Sequence, residues 1–186
     1  VNRNDRTTAR VFPCDDPLHG CENKYEEEDS LENFLNQDVW DEQNPYDRWN
    51  ELTKCEKDFF RTNPHHLYNA KLNRSEAEDA AHNRFGNCNN GSDHPLHNTI
   101  GDAYRHAYFS ALNTQIMGYS NAKTLGDAHE CEVPISELNE KKMDLHNNAW
   151  GYHYGSTVSV VNERQFHNSF MDALNKGQIK IIQECQ

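Results

Sequence analysis

Apolar positions along the chain recur mainly at helical spacing. Leu31, Phe34, Leu35 and Val39 fall at i, i+3, i+4 and i+8 behind Ser30, a candidate N-cap. A second helix is predicted over 45–61, with Trp49, Leu52, Phe59 and Phe60 as its apolar anchors and Asn63-Pro64 as its stop. A third is predicted to begin at Ser75, where Ser75-Glu76-Ala77-Glu78 fits a capping box, and to close at Gly86. The stretch 87–97 is rich in Asn, Gly, Asp and Pro and reads as a loop. Four further helices are predicted at 99–117, 120–132, 136–154 and 162–176, stopped in turn by Gly118, Val133-Pro134, the end of the pattern and Gly177. Ser136 is the expected cap of the third of these. Gln178-Ile-Lys-Ile-Ile-Gln183 alternates like a short terminal strand. Residues 1–29 carry Pro13, Pro17, Gly20 and dense charge without periodicity, which reads as an irregular acidic arm. The expected fold is mostly α: a single-domain helical bundle over 30–186, stapled by disulfides, with its motifs between about 46 and 160.

Composition qualifies this picture. The 186 residues hold 18 Lys plus Arg against 30 Asp plus Glu, for a net charge of −12. Residues 1–60 carry most of the excess, with 16 acids and 7 bases. So acidic a chain is a poor non-specific nucleic-acid binder, because phosphate contacts need Lys and Arg. No apolar run is long enough to span a membrane. Glu26-Glu-Glu-Asp29 reads as a solvated run, with cation collection as the sharper alternative. Only 35% of residues are hydrophobic and mean hydropathy is −1.04, so the core is thin and benefits from cross-links.

Cross-links are available. Cys14, Cys21, Cys55, Cys88, Cys131 and Cys185 form an even set with no Cys-x-x-Cys pair, which argues for disulfides over a zinc ribbon. Six cysteines allow fifteen pairings and the spacing does not choose among them, although Pro17 and Gly20 would let Cys14 and Cys21 close locally. Asn73-Arg-Ser and Asn90-Gly-Ser are glycosylation sequons. Even cysteines and sequons together favour a secreted, extracellular protein. The opening Val-Asn-Arg-Asn, with no Met and no apolar leader, reads as a mature chain whose signal has been removed.

Three of the predicted helices bring polar groups onto otherwise apolar faces. Asp102, His106 and Asn113 form one stripe, beside an apolar face of Tyr104, Tyr108, Leu112 and Ile116; Ala103, Ala107 and Ala111 admit a close neighbour. A carboxylate one turn before a histidine orients its ring and raises its basicity. His129 and Glu130 stand side by side at a helix end. Asp144 and Asn148 share a face, while Asn147, Gly151 and Gly155 make a second row suited to tight packing. Converging, Asp102, His106, His129, Glu130, Asp144 and Asn148 would make a metal or acid–base site. The roles assigned are His106 as base or ligand, with Asp102, Glu130 and Arg105 catalytic; His106, His129 and Asp144 as ligands of a divalent metal such as zinc or calcium; and Asn113, Asn147 and Asn148 as a structural polar network. Arg105 would either bridge to a neighbouring helix or bind an anionic group. His65 and His66 are expected to be exposed, and His153 and His167 to sit on helix surfaces.

Asp102-Ala-Tyr-Arg-His-Ala-Tyr108, Asp127-Ala-His-Glu130 and Met143-Asp-Leu-His-Asn-Asn-Ala-Trp-Gly151, taken in order, resemble an uncharacterised family of mostly bacterial secreted domains. Its members read roughly D-A-F-R-H-A-x-W, D-A-H-E and M-D-L-H-N-N-x-x-G-R. The resemblance spans about residues 46–160 and implies a shared polar site without naming a reaction. Phe109 stands where the family has Trp, and Tyr152 where it has Arg, which weakens an anion-binding role. Arg105-His106 with Tyr108 and Asn113 also resembles, more briefly, the helix of small secreted phospholipases, but Ala107 replaces their calcium-binding carboxylate. The functional expectations are therefore a secreted, metal-dependent hydrolase; a noncatalytic extracellular binding or structural module cross-linked by the same groups; and a His/Asp phospholipase-like esterase. Substrate, extracellular partner and self-assembly stay open. Thiol titration in denaturant without reductant should find essentially no free thiol; about six would overturn the disulfide-stapled reading.

Overall fold

The computed structural model describes residues 49–88 and 96–185. Every described residue belongs to one compact unit, Glu42–Gln186. The expected arm and the helix expected from Ser30 lie outside the described residues, as do Cys14, Cys21, Asn90 and the acidic run.

Five helices and no strand are present among the described residues, so the fold is all-α. Helix α1, Lys54–Thr62, starts later than the apolar pattern suggests because Thr53 caps it. The Thr53 hydroxyl accepts from the Glu56 amide at 3.1 Å, and the Thr53 amide donates to Glu56 Oε2 at 2.7 Å. This reciprocal capping box outweighs continuation of the preceding turn Trp49–Glu51. Helix α2, Leu67–Phe85, begins a full eight residues before Ser75. Pro64 opens the turn Pro64–His66, which feeds straight into the helix. Ser75 is therefore an exposed mid-helix residue, and His66 is buried rather than exposed. Gly86 does end α2, with an ordinary right-handed φ of −61°.

Helix α3, Ile100–His129, is capped by Thr99 and broken at Gly118, whose φ of 77° and ψ of 161° suit glycine alone. The break falls where the sequence places it. Helix α4, Leu138–Thr157, follows the turn Ile135–Glu137, so Ser136 sits in that turn and caps nothing. Helix α5, Glu163–Asn175, is capped by Asn162 and followed by Gly177 at φ 69°.

The C-terminal segment is not a strand. Its alternation is real, since Ile179 is buried, but among the described residues no strand lies beside it. Asn147 of α4 supplies a substitute: its Nδ2 donates to the Lys180 carbonyl at 2.9 Å and its Oδ1 accepts the Lys180 amide at 3.0 Å. The Asn98 carbonyl accepts the amides of Ile182 and Gln183. One side-chain amide and one backbone carbonyl thus satisfy groups that a ladder would otherwise pair.

Two apolar clusters form the core. Tyr104, Tyr108, Phe166 and Phe170 interlock in one, with Tyr104 edge to face against both Phe166 and Phe170, the latter ring centroids 5.0 Å apart. Phe59, Phe60, Leu67, Met117, Leu125 and Tyr152 make the other. Between α3 and α4 the backbones nearly touch. A Cβ on Gly151 would lie 2.1 Å from the Ala107 carbonyl oxygen, and one on Gly155 2.6 Å from that of Ala111. Disulfides Cys55–Cys131 and Cys88–Cys185 close separations of 76 and 97 residues, each contributing about 2–4 kcal/mol. Gly151→Ala should destabilise by about 2 kcal/mol or more, read as a fall of about 5 °C or more in Tm by circular dichroism.

Candidate functional site

Helix α3 places Asp102, Arg105 and His106 over one and a half turns. The close approach of α4 brings Asp144 and Asn148 against them. His106 Nε2 lies 3.6 Å from Asp102 Oδ1 and 3.5 Å from Asp144 Oδ1. One donor atom from each of these three residues lies within 4.8 Å of the others. Asp102 is fixed twice, by the Asn98 amide on Oδ2 at 2.8 Å and by Arg105 Nη2 on Oδ1 at 2.6 Å. Arg105 thus bridges within its own helix, not to a neighbour. The same Nη2 is 3.0 Å from His106 Nε2, which must then present a lone pair. Asn148 accepts the Ser110 hydroxyl at 2.9 Å and also reaches the His106 ring.

The other expected members separate. Asn113 lies apart, accepting from Asn73 Nδ2 of α2 at 3.0 Å. Asn73 is itself buried, so a glycan on that nitrogen would break this bond and require space that the fold does not have. Asn147 serves the C-terminal segment. Glu130 is buried and contributes no ligand atom to the cluster. His129 is not grouped with His106 and Asp144 as a ligand: its Nδ1 meets Glu56 Oε1 at 2.9 Å, with its ring centroid 6.1 Å from that of His106. Glu56 is the residue the sequence did not reveal as a site member. The Thr53-x-x-Glu56 spacing signals a cap, but the carboxylate's second partner lies 73 residues away. Tyr152, standing where the related motif has Arg, is buried with its hydroxyl unbonded, and supplies no positive charge.

Arg105, His106, His129, Glu56, Asn148 and Phe109 line a cleft open to solvent. Asp102 and Asp144 are not part of its lining, whereas Arg105, one-third exposed, is.

Burial sets the protonation states. It drives His106 well below the ordinary imidazole value, helped by the Arg105 charge and opposed by Asp102, so the ring is neutral. Burial alone would raise Asp102; with the His106 ring neutral, the Arg105 charge and the Asn98 amide oppose it and hold the carboxylate ionised. Asp144 has no such donor. Its Oδ1 is buried without a hydrogen-bond partner, and burial, with the charges of Asp102 and Glu130, pushes it up to about 8. Burial likewise raises Glu130.

These observations define an all-α, disulfide-linked domain organised around a buried Asp–His–Asp cluster. A family described as a domain of unknown function (DUF6973) matches residues 57–178, and the chain belongs to that family. The match runs from α1 through α5 and holds the whole cluster; Glu56 and Cys55 fall just before it. No curated protein and no solved structure matches the chain. Among the described residues no helix is long and apolar enough to cross a membrane.

Asp144 gives a signed pH prediction. Its folded form holds a proton that the unfolded chain releases near 3.8, so stability falls as pH rises from there through about 8. Asp144→Asn lacks this cost. In chelator, its Tm should match wild type near pH 4 and exceed it by several degrees at pH 8, measured by thermal denaturation.

Proposed function

We propose that this DUF6973 domain is a secreted hydrolytic module that holds a divalent cation between Asp102, His106 and Asp144. The observation that carries the reading is the convergence of those donors, together with the buried, unbonded Asp144 Oδ1. A cation there would take the position now neutralised by Arg105 and replace the Asp144 proton. One imidazole and two carboxylates leave coordination positions for water or substrate. A nitrogen donor favours zinc over calcium, which prefers an all-oxygen shell. When bound, the cation would supply charge stabilisation for a hydrolytic transition state. The two disulfides support an oxidising compartment.

Arg105 favours a second reading. Its guanidinium already spans Asp102 and His106 within α3, which neutralises that part of the cluster without a cation, as a noncatalytic polar network would. Calorimetric titration of metal-free protein with zinc, manganese and calcium separates the two. The cation reading expects one bound zinc per chain, weakened more than about tenfold in both Asp144→Asn and His106→Ala. Absence of binding in wild type, with His106→Ala lowering Tm, would establish the network.

A further inference from the structure

The His129–Glu56 pair has a geometry of its own. Glu56 is buried, and its two oxygens divide their work. Oε2 accepts the Thr53 amide at 2.7 Å, while Oε1 faces His129 Nδ1 at 2.9 Å. Burial would raise this carboxyl; the bond and charge of His129 and the Thr53 donors outweigh it, and Glu56 is ionised. A carboxylate oxygen can only accept, so the proton of this contact sits on His129 Nδ1 and Nε2 is the ring nitrogen left to present a lone pair. No hydrogen bond to Nε2 is present among the described residues, and the half-exposed ring lines the cleft. Three constraints hold the pair in place. The capping box fixes Glu56, the Thr53 hydroxyl donates to the Ala128 carbonyl at 2.8 Å, and the Cys55–Cys131 disulfide ties the residue before Glu56 to the helix end carrying His129.

We infer that His129, oriented by Glu56, is the reactive base of the cleft, and that Glu56 is its positioning residue. A carboxylate on one ring nitrogen, with the other unbonded in a half-exposed ring of the cleft lining, suits a general-base histidine. In ester hydrolysis His129 Nε2 takes a proton from water as the water oxygen bonds to the carbonyl carbon. The carbon–oxygen bond to the alcohol then breaks, and the imidazolium returns the proton to the departing oxygen. Bonds, protons and electrons balance without an added oxidant or reductant. The inference shares the hydrolytic reading above but does not require the cation.

The test uses diethyl pyrocarbonate, a carbonyl electrophile, on the full chain in chelator, with modification at each histidine followed by mass spectrometry. His129 should be acylated about tenfold faster than the exposed His153, and Glu56→Gln should abolish that advantage while leaving the His153 rate unchanged. Gln can keep the capping box, and circular dichroism checks that the variant folds. Nitrogen-15 imidazole spectra should show wild-type His129 protonated on Nδ1. Equal rates for His129 and His153, or a proton on Nε2, would overturn the inference. Zinc titration separates it from the cation reading: loss of zinc binding in His129→Ala would make His129 a ligand and overturn the base role. A fast-reacting His129 in a wild type that binds no zinc would sink the cation reading and leave the pair standing.

Discussion

The near-contact of α3 and α4 is the constraint on which the rest of this structure depends. Gly151 and Gly155 present bare backbone to Ala107 and Ala111, so the two helices approach until a carbonyl fills the space a methyl would need. The contacts of the cluster that cross between the two helices are a consequence of that distance. His106 and Asp144 belong to different helices, and a 3.5 Å approach between their side chains requires a short interhelical separation at this level. The same approach sets Asn148 against Ser110. The small-residue seam is therefore both a packing device and the element that makes the cluster.

Such a cluster is costly for a thin-cored protein. Two carboxylates and an imidazole out of water are tolerable only when each is neutral or compensated. Asp102 is compensated by Arg105 and a backbone amide. His106 is kept neutral. Asp144 is left with a proton and no bonding partner for Oδ1, the one member whose local environment does not satisfy it. An arrangement evolved only for stability would readily place an amide there. The surplus acceptor is what distinguishes this cluster from the Asn73–Asn113 pair, where two amides meet without charge.

The disulfides act at the edges of this arrangement. Cys88–Cys185 joins the end of α2 to the C-terminal segment, the same segment that Asn147 and Asn98 hold by hydrogen bonds. Cys55–Cys131 joins α1 to the end of α3. Each joins segments far apart in the chain, which restricts the unfolded state of a protein with a thin core.

Helix type in the second half, the break at Gly118, and the stops at Gly86 and Gly177 were legible in the sequence, because periodicity and glycine act locally. So were the Asp102/His106 stripe, the Asp144/Asn148 face and the small-residue rows that bring them together. Three things were not. The start of α2 depends on Pro64 and on burial of Ala70 and Asn73, so a plausible capping box at Ser75 misled. The terminal alternation has the pattern of a strand, and only the fold shows that an asparagine replaces the neighbouring strand. The pairing of Glu56 with His129, like the choice among fifteen disulfide pairings, joins residues more than seventy positions apart. Local chemistry determined which side chains could carry charge, ligate or cap. The tertiary structure decided which of them meet, because a helix fixes the face a residue lies on but not what packs against that face.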